Sequence, residues 1–447
     1  MPSIWENTAA YLLSKHYVTW SFRQYFNRVI IKGEKHLPKK GPVILAPNHL
    51  NALMDALAVL SLPPFRLPKL FLARADLFKL APVIVKFLRF AKIMPAFRIR
   101  DGYDQLDRNK DTFDGAEQAL LNKAALCIMP EGNQGEERNI RPLVKGIFRI
   151  AFGTQQKMPP GKSVKIVPIG MEYSNIFEYQ PTLIINIGHA IDVADYMPLH
   201  AENPVKAINE LKSTLRNALE SLSVHLPTGE NYPIFDNITE LVCRDLSKKK
   251  KKETPWHLFK ARQEVAERLQ AISVNQSEKW EALKQLYFDY QQLADELSFP
   301  KRIASRPWQP NLKTWQILFR IVVQALLMIP GAVLNYIPYK LIVSVPRIAG
   351  IEYNGFFSSV YYGAGIVVLP FYYILVVALV VAFTPLSALS MLVTIPLMYL
   401  SGKLSFRLFQ NIRYLLSDLK VIKIRKDNPH QFDTLVTIRQ TIIKLVD

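Results

Sequence analysis

The sequence predicts an α/β domain followed by a helical, membrane-associated C-terminal region, and three observations carry that expectation. Between about Val29 and Leu226, short β-type apolar runs alternate with amphipathic helical patterns, the rhythm of a sheet with helices on both faces. From Tyr353 to Gly402 the chain has no charged residue, and a second uncharged run spans Ile321 to Tyr339. A helical pass through a bilayer core needs about 20 apolar residues. Finally, 56 Lys and Arg stand against 37 Asp and Glu among 447 residues, a net charge of +19. That surplus fits attraction to anionic surfaces, and beside such apolar segments the surface is a lipid headgroup layer.

Taken in order, residues 1–28 read as an interfacial amphipathic segment. YLLSKHYVTWSFRQYFNRVII mixes aromatics with Lys and Arg, while Glu6 and Lys15 interrupt any signal-peptide core. An ordinary packed helix is the other reading of the same stretch. Residues 29–226 form the α/β domain, with strand candidates VIIKG, VILAP, LFLA, ALCIMP, VKIVPIG and LIINIG. DLFKLAPVIVKFLRFA and TFDGAEQALLNKA read as helices between them. A later helix opens on Asn203 as cap and Pro204 in its first turn, with Ile208, Leu211, Leu215, Leu219 and Leu222 on one face.

Residues 227–310 are a basic, helical linker region holding a run of five lysines, Lys248 to Lys252. Such a run is either a solvated loop or a clamp on lipid headgroups. Residues 311–447 carry the apolar segments and a basic tail. The uncharged stretch from Tyr353 to Gly402 reads as a hairpin turning at Thr384-Pro385. It either crosses the bilayer twice or enters and leaves one leaflet. Its basic flanks place both ends, and the α/β domain, on the cytoplasmic face. Cys127 and Cys243 stand far apart without neighbouring ligands, which argues against a disulfide framework or zinc site.

Chemistry concentrates in four stretches of the α/β domain. In PNHLNALMDALAV, His49 follows the apolar run VILAP and Asp55 follows His49. An imidazole beside a carboxylate can take a proton from an alcohol, and a capped strand-to-helix turn would use the same residue types. No Ser or Cys occupies a nucleophile elbow nearby, so an attacking group would come from a substrate. IMPAFRIRDG places Arg98 and Arg100 after an apolar segment, and arginine matches phosphate with a planar two-bond fork. MPEGNQGEERNIRPLVKG supplies Glu131, glycines at 132, 135 and 146, and the charges of Arg138, Arg141 and Lys145. VKIVPIGMEYS puts Pro168 at the end of a strand.

This ordered set resembles the glycerophospholipid acyltransferase family typified by lysophosphatidic acid acyltransferase, in a bacterial branch with a long membrane-embedded C-terminal extension. The resemblance covers about Val29 to Leu226 and implies a mixed sheet flanked by helices. It implies His49 as general base on the acceptor hydroxyl and Asp55 as its orienting carboxylate. Arg98 would grip the acceptor phosphate, while Glu131 and Gly132 would shape the glycerol end, Glu131 orienting an arginine or accepting from a hydroxyl. Asn133, Lys145 and Pro168 complete the implied substrate site, Pro168 on the acyl-donor side. The donor would be acyl-CoA or an acyl carrier protein, with no other cofactor and no metal. The acceptor expected first is 1-acyl-glycerol-3-phosphate, giving phosphatidic acid. Glycerol-3-phosphate or another lysophospholipid is the alternative.

Two departures bear on the acceptor. Five residues, LNALM, separate His49 from Asp55, where the family pattern has four, and Asn133-Gln134 replaces its Thr-Arg. Arg138 or Arg141 could supply the lost guanidinium. A non-catalytic lipid-binding module is the distant alternative. A nucleic-acid partner is disfavoured, because no reader motif accompanies the charge.

Overall fold

The computed structural model describes residues 3–96, 109–249, 253–304, 313–384 and 389–447. The chain divides into two units, one formed by Met1–His225 with Tyr353–Ser359 and the other by Leu226–Glu352 with Val360–Asp447.

The first unit begins with helix α1 (Ala9–Tyr25) and strand β1 (Arg28–Lys32), followed by β2 (Val43–Pro47) and α2 (Ala52–Leu60). Then come β3 (Lys69–Arg74), α3 (Pro82–Phe90), β4 (Ile93–Ala96), α4 (Asn109–Leu121), β5 (Ala125–Cys127) and α5 (Gly146–Gln156). It closes with β6 (Lys165–Tyr173), β7 (Thr182–Ile187), β8 (Ile191–Asp192), α6 (Met197–Glu202) and α7 (Pro204–Leu222). The sheet order is β1-β7-β6-β2-β5-β3-β4, with β8 also paired to β6. Strands β6, β2, β5, β3 and β4 run parallel, whereas β7 lies antiparallel to β6, so the sheet is mixed.

All six predicted strands form, and the central β2 and β5 are wholly apolar and buried because both sheet faces are covered there. Ile44 and Ala46 of β2 join a core with Leu120 of α4, Phe148 and Phe152 of α5 and Leu211, Leu215 and Leu219 of α7. Val43 and Leu45, pointing the other way by strand alternation, are equally buried. Helix α2 packs against β2 and also against α1. Helix α7 starts as read, with the Asn203 side chain accepting from the Lys206 N–H at 3.0 Å.

Two local expectations change. DLFKLAPVIVKFLRFA is not one helix: residues 75–79 make a 3-10 turn, and Pro82 then opens α3. A proline ring is welcome in a first turn but clashes inside a helix. The short β4, paired with β3, and β8, paired with β6, extend the predicted sheet. Helix α1, read as interfacial, buries Tyr11, Lys15, Thr19, Phe22 and Tyr25 while leaving Leu13 and Trp20 exposed.

Three lysines in this unit are buried against backbone carbonyls. The Lys69 Nζ donates to Leu62 O at 2.6 Å and Pro64 O at 3.3 Å, and Lys15 Nζ donates to Phe65 O at 2.5 Å. Lys92 Nζ donates to Ile4 O at 2.6 Å. Desolvation, with neighbouring Lys15, pushes Lys69 down to about 7, and desolvation pushes Lys15 and Lys92 down to about 8. Unfolded, these lysines would titrate near 10.5. Between about pH 7 and that value the unfolded chain therefore holds more protons, and stability rises with pH. Thermal melts in detergent should show the melting temperature rising from pH 7 to pH 9, with a smaller rise in Lys69→Met. Equal slopes in the two proteins would refute this origin.

The second unit is helical. It contains α8 (Tyr232–Lys249), α9 (Pro255–Asn275), α10 (Ser277–Glu296), α11 (Thr314–Ile348), most of α12 (Phe357–Phe383), α13 (Leu389–Asp427) and α14 (Pro429–Val446). Helices α8, α9, α10 and α14 share a core including Ile238, Phe259, Leu283 and Leu435. Arg439 of α14 pairs with Asp245 of α8. Lys250, Lys251 and Lys252 of the lysine run lie outside the described residues.

Helices α11 and α12, of 35 and 27 residues, are long and apolar enough to cross a membrane. The predicted hairpin corresponds to α12 and about the first third of α13; Pro385, at its expected turn, lies outside the described residues. Helices α11 and α13 pack closely through small residues. A Cβ on Gly331 would fall 2.3 Å from Ser401 O. Asn335 donates to Gly331 O at 2.9 Å and Met398 O at 3.2 Å, and accepts from the Tyr373 hydroxyl at 2.7 Å. Small residues and an interhelical amide are the means by which apolar helices associate where burial of apolar surface gives no drive.

Candidate active site

The site is built where β2 ends. The parallel pairing of β2 between β5 and β6 fixes Pro47, and Asn48 then locks the next turn of chain. Its amide donates to Met171 O at 3.2 Å and accepts from Met171 N–H at 2.6 Å. His49 follows, and Asn51 starts α2, whose first turn carries Asp55. This is the carboxyl end of a parallel strand, where α/β sheets open their clefts.

Asp55 is fully buried and each oxygen is used. Its Oδ2 accepts from the Asn51 N–H at 2.7 Å and lies 3.0 Å from His49 Nδ1. Its Oδ1 accepts from the Tyr173 hydroxyl at 2.5 Å. Burial, and then the Asp55 carboxylate, hold the Tyr173 phenol protonated, so it can only donate there. A carboxylate accepts, so Nδ1 carries the proton of a neutral His49 and Nε2 keeps the free lone pair. The His–Asp contact forms across the longer spacing, with Asn51 an extended residue before the helix.

The loop after β5 holds the backbone of His49. Glu131 Oε1 accepts from His49 N–H at 2.7 Å, and Glu131 Oε2 accepts from Arg141 N–H at 3.0 Å while pairing with the Arg141 guanidinium at 2.9 Å. His49 O in turn accepts from Gly135 N–H at 3.1 Å and from Arg141 Nη2 at 2.9 Å. Burial pushes the Glu131 carboxyl up, and Arg141 with the two backbone donors pulls against that rise. A Cβ on Gly135 would fall 1.9 Å from the Arg141 guanidinium, so a side chain there would displace that group. Gly132 takes a φ of +73° at the turn, a conformation costly for side chains with a Cβ.

The structure thus gathers His49, Asp55, Glu131 and Gly132 into one arrangement. Asn133 and Lys145 are exposed on the same loop, Lys145 just before α5. Pro168, expected at a strand end, is instead buried within β6 opposite Ala46, because the strand runs on to Tyr173. Arg98 and Arg100 lie outside the described residues. Arg138 pairs with buried Glu172 at 2.8 Å, and Arg141 with Glu131, so both candidate replacement guanidiniums hold protein carboxylates.

Sequence reasoning missed Asn48, Asn51 and Tyr173, although all three stand inside the stretches it singled out. Their residue types gave notice of polar groups at strand ends; their partners were set by the β2–β6 register. It also missed Ser358 and Ser359, whose hydroxyls meet Asn51.

Residues 28–172 match the family model described as Acyltransferase. Glycerol-3-phosphate O-acyltransferase 1 of Saccharomyces cerevisiae is 28% identical over 133 residues, and glycerol-3-phosphate O-acyltransferase 2 of the same yeast is 25% identical over 131 residues. Each match takes in 29% of this chain and spans only 17% of the yeast protein. The crystal structure of the 1-acyl-sn-glycerophosphate (LPA) acyltransferase of Thermotoga maritima aligns at 18% identity with a TM-score of 0.33, over 47% of this chain and 79% of that one. Residues 28–172, which carry the His49–Asp55 pair and the Glu131–Arg141 clasp around it, are thus similar to an acyltransferase domain.

Proposed function

We propose that the protein is an O-acyltransferase that moves a fatty acyl group from an acyl thioester to a hydroxyl of a phosphorylated glycerol. The observation that carries this reading is the His49 Nδ1–Asp55 contact of 3.0 Å, with Asp55 buried and fixed on both oxygens. His49 Nε2 takes the proton of the acceptor hydroxyl as its oxygen bonds to the thioester carbonyl carbon. The C–S bond then breaks, and the leaving thiolate receives that proton from His49. Glu131 and Arg141 act on the backbone of His49, holding the ring where the strand end places it.

Glycerol-3-phosphate is the favoured acceptor, ahead of the 1-acyl form that the sequence reading put first. Both curated relatives carry that substrate in their names, and the longer His49–Asp55 spacing departs from the lysophosphatidic acid pattern. Arg98 remains the proposed phosphate ligand. The apolar α11 and α12 support a membrane location, and the basic residues beside them support a cytoplasmic catalytic face.

The test is acyl transfer by the detergent-solubilised protein beside His49→Ala. Labelled long-chain acyl-CoA and acyl carrier protein serve as donors, and glycerol-3-phosphate, lysophosphatidic acid and lysophosphatidylcholine as acceptors. Label entering lysophosphatidic acid, lost in the variant, is the expected result. Label entering phosphatidic acid alone would return the acceptor to the 1-acyl form. Transfer that survives His49→Ala would overturn the mechanism.

A further inference from the structure

We propose that Ser359, with Ser358 beside it, is a positioning residue for the His49–Asp55 pair. The inference rests on the acyltransferase reading and adds residues that lie about 300 positions away in sequence.

Helix α2 has an unusual start. Asn51 is its N-terminal cap by backbone, and asparagine normally turns its side chain onto a free N–H of the first turn. Here it does not. Its Nδ2 donates to Ser358 Oγ at 2.7 Å, and its Oδ1 accepts from Ser359 Oγ–H at 2.8 Å. The Leu53 N–H, which a cap would satisfy, instead donates to Ser359 Oγ at 3.0 Å. Ser359 therefore supplies the cap that Asn51 leaves unmade. Asn51, Ser358 and Ser359 are all buried, so water does not readily replace a lost bond.

Asn51 is also the pivot toward the chemistry. Its backbone N–H donates at 2.7 Å to Asp55 Oδ2, the oxygen that faces His49 Nδ1. The side chain of one residue is held by the serines while its peptide holds the carboxylate. Without the Ser359 hydroxyl, Leu53 N–H is left bare, and the Asn51 amide is the nearest group able to swing back onto it. That rotation turns the Asn51 peptide and loosens Asp55 at Oδ2.

The segment bearing the serines is itself seated in the first unit. A Cβ on Gly355 would fall 2.8 Å from Glu136 Oε1, so the chain passes tightly over the loop that clasps His49. Burial, and then the Glu136 carboxylate, push the Tyr353 phenol upward, a sign of the same close seating. Ser358 and Ser359 then lie in the first turn of α12, one of the two helices apolar enough to enter a bilayer. The base pair is thereby tied through two hydroxyls to the start of a membrane helix.

The experiment measures kcat and KM for both substrates on full-length wild type, Ser359→Ala, Ser359→Thr, Asn51→Ala and the Ser359→Ala/Asn51→Ala double variant, with His49→Ala as baseline. Misplacing a catalytic group by a fraction of an ångström to an ångström costs about 10- to 100-fold. Ser359→Ala should lose kcat in that range with both KM values within about twofold, the split expected when orientation rather than binding is lost. Ser359→Thr, which keeps the hydroxyl, should recover most of it. The double variant should be no slower than Asn51→Ala alone, because the hydroxyl acts through Asn51. A wild-type kcat in Ser359→Ala, a loss confined to KM, or a threonine variant as slow as the alanine would each overturn the proposal. Transfer by His49→Ala would instead defeat the acyltransferase mechanism, whatever Ser359 does.

Discussion

Replacing Asp55 with Asn lowers kcat by about 10³- to 10⁴-fold while leaving the fold intact, the scale seen when the carboxylate behind a catalytic imidazole is replaced. The network dictates how the amide sits. At the Oδ2 position it must present its oxygen, since both Asn51 N–H and His49 Nδ1 need an acceptor there. Its NH2 then faces Tyr173, whose hydroxyl can turn from donor to acceptor. Geometry and tautomer survive, and the negative charge that would stabilise the imidazolium does not. Single-turnover acyl transfer, with circular dichroism and melting beside it, separates the two effects. A variant that keeps more than a tenth of wild-type kcat would show that Asp55 is only a helix-start carboxylate favoured by the dipole.

Glu131→Ala should be the most destabilising change in the site. It strands the His49 N–H, the Arg141 N–H and the Arg141 guanidinium together, with Glu131 itself buried. Removing one partner of a buried ion pair costs about 3–5 kcal/mol. In a unit of this size that corresponds to a fall of roughly 10 °C in melting temperature. Glu131→Gln should recover little, because its NH2 must face either the His49 N–H or the two donors of Arg141. Arg141, freed from Glu131, also lets go of His49 O, so activity falls faster than the folded fraction. A Glu131→Ala protein that melts within two or three degrees of wild type, by this argument, would mean that Glu131 faces substrate and not the loop.

The strands and the His49–Asp55 contact were legible because their physics is local. An apolar run bounded by turn residues is a buried strand wherever it sits, and all six such runs became strands. His49 and Asp55 stand close enough in sequence for one strand-to-helix turn to bring them together. Asn203 and Pro204 marked a helix start in the same way. Short edge pieces were harder. β4 and β8 hold four and two residues and exist because a neighbouring strand offers a free edge, which no periodicity in IMPA or ID records. The role of Glu131 was open between substrate and arginine in the sequence; it lies with Arg141 and the His49 peptide, because the loop folds back beneath the strand end.

What the sequence alone determined is the α/β class, the apolar helices after it and the pairing of His49 with Asp55, since each follows from residue type and short-range spacing. What only the tertiary structure decided is the company His49 keeps. Tyr173 reaches Asp55 because β6 lies beside β2 in one register, and Arg141 reaches His49 because Gly135 leaves room for it. Ser359 caps α2 because a segment some 300 residues downstream returns to the catalytic unit. A buried polar group must find a partner wherever the fold brings one near, and contacts at such separations leave no mark on the local pattern of either segment.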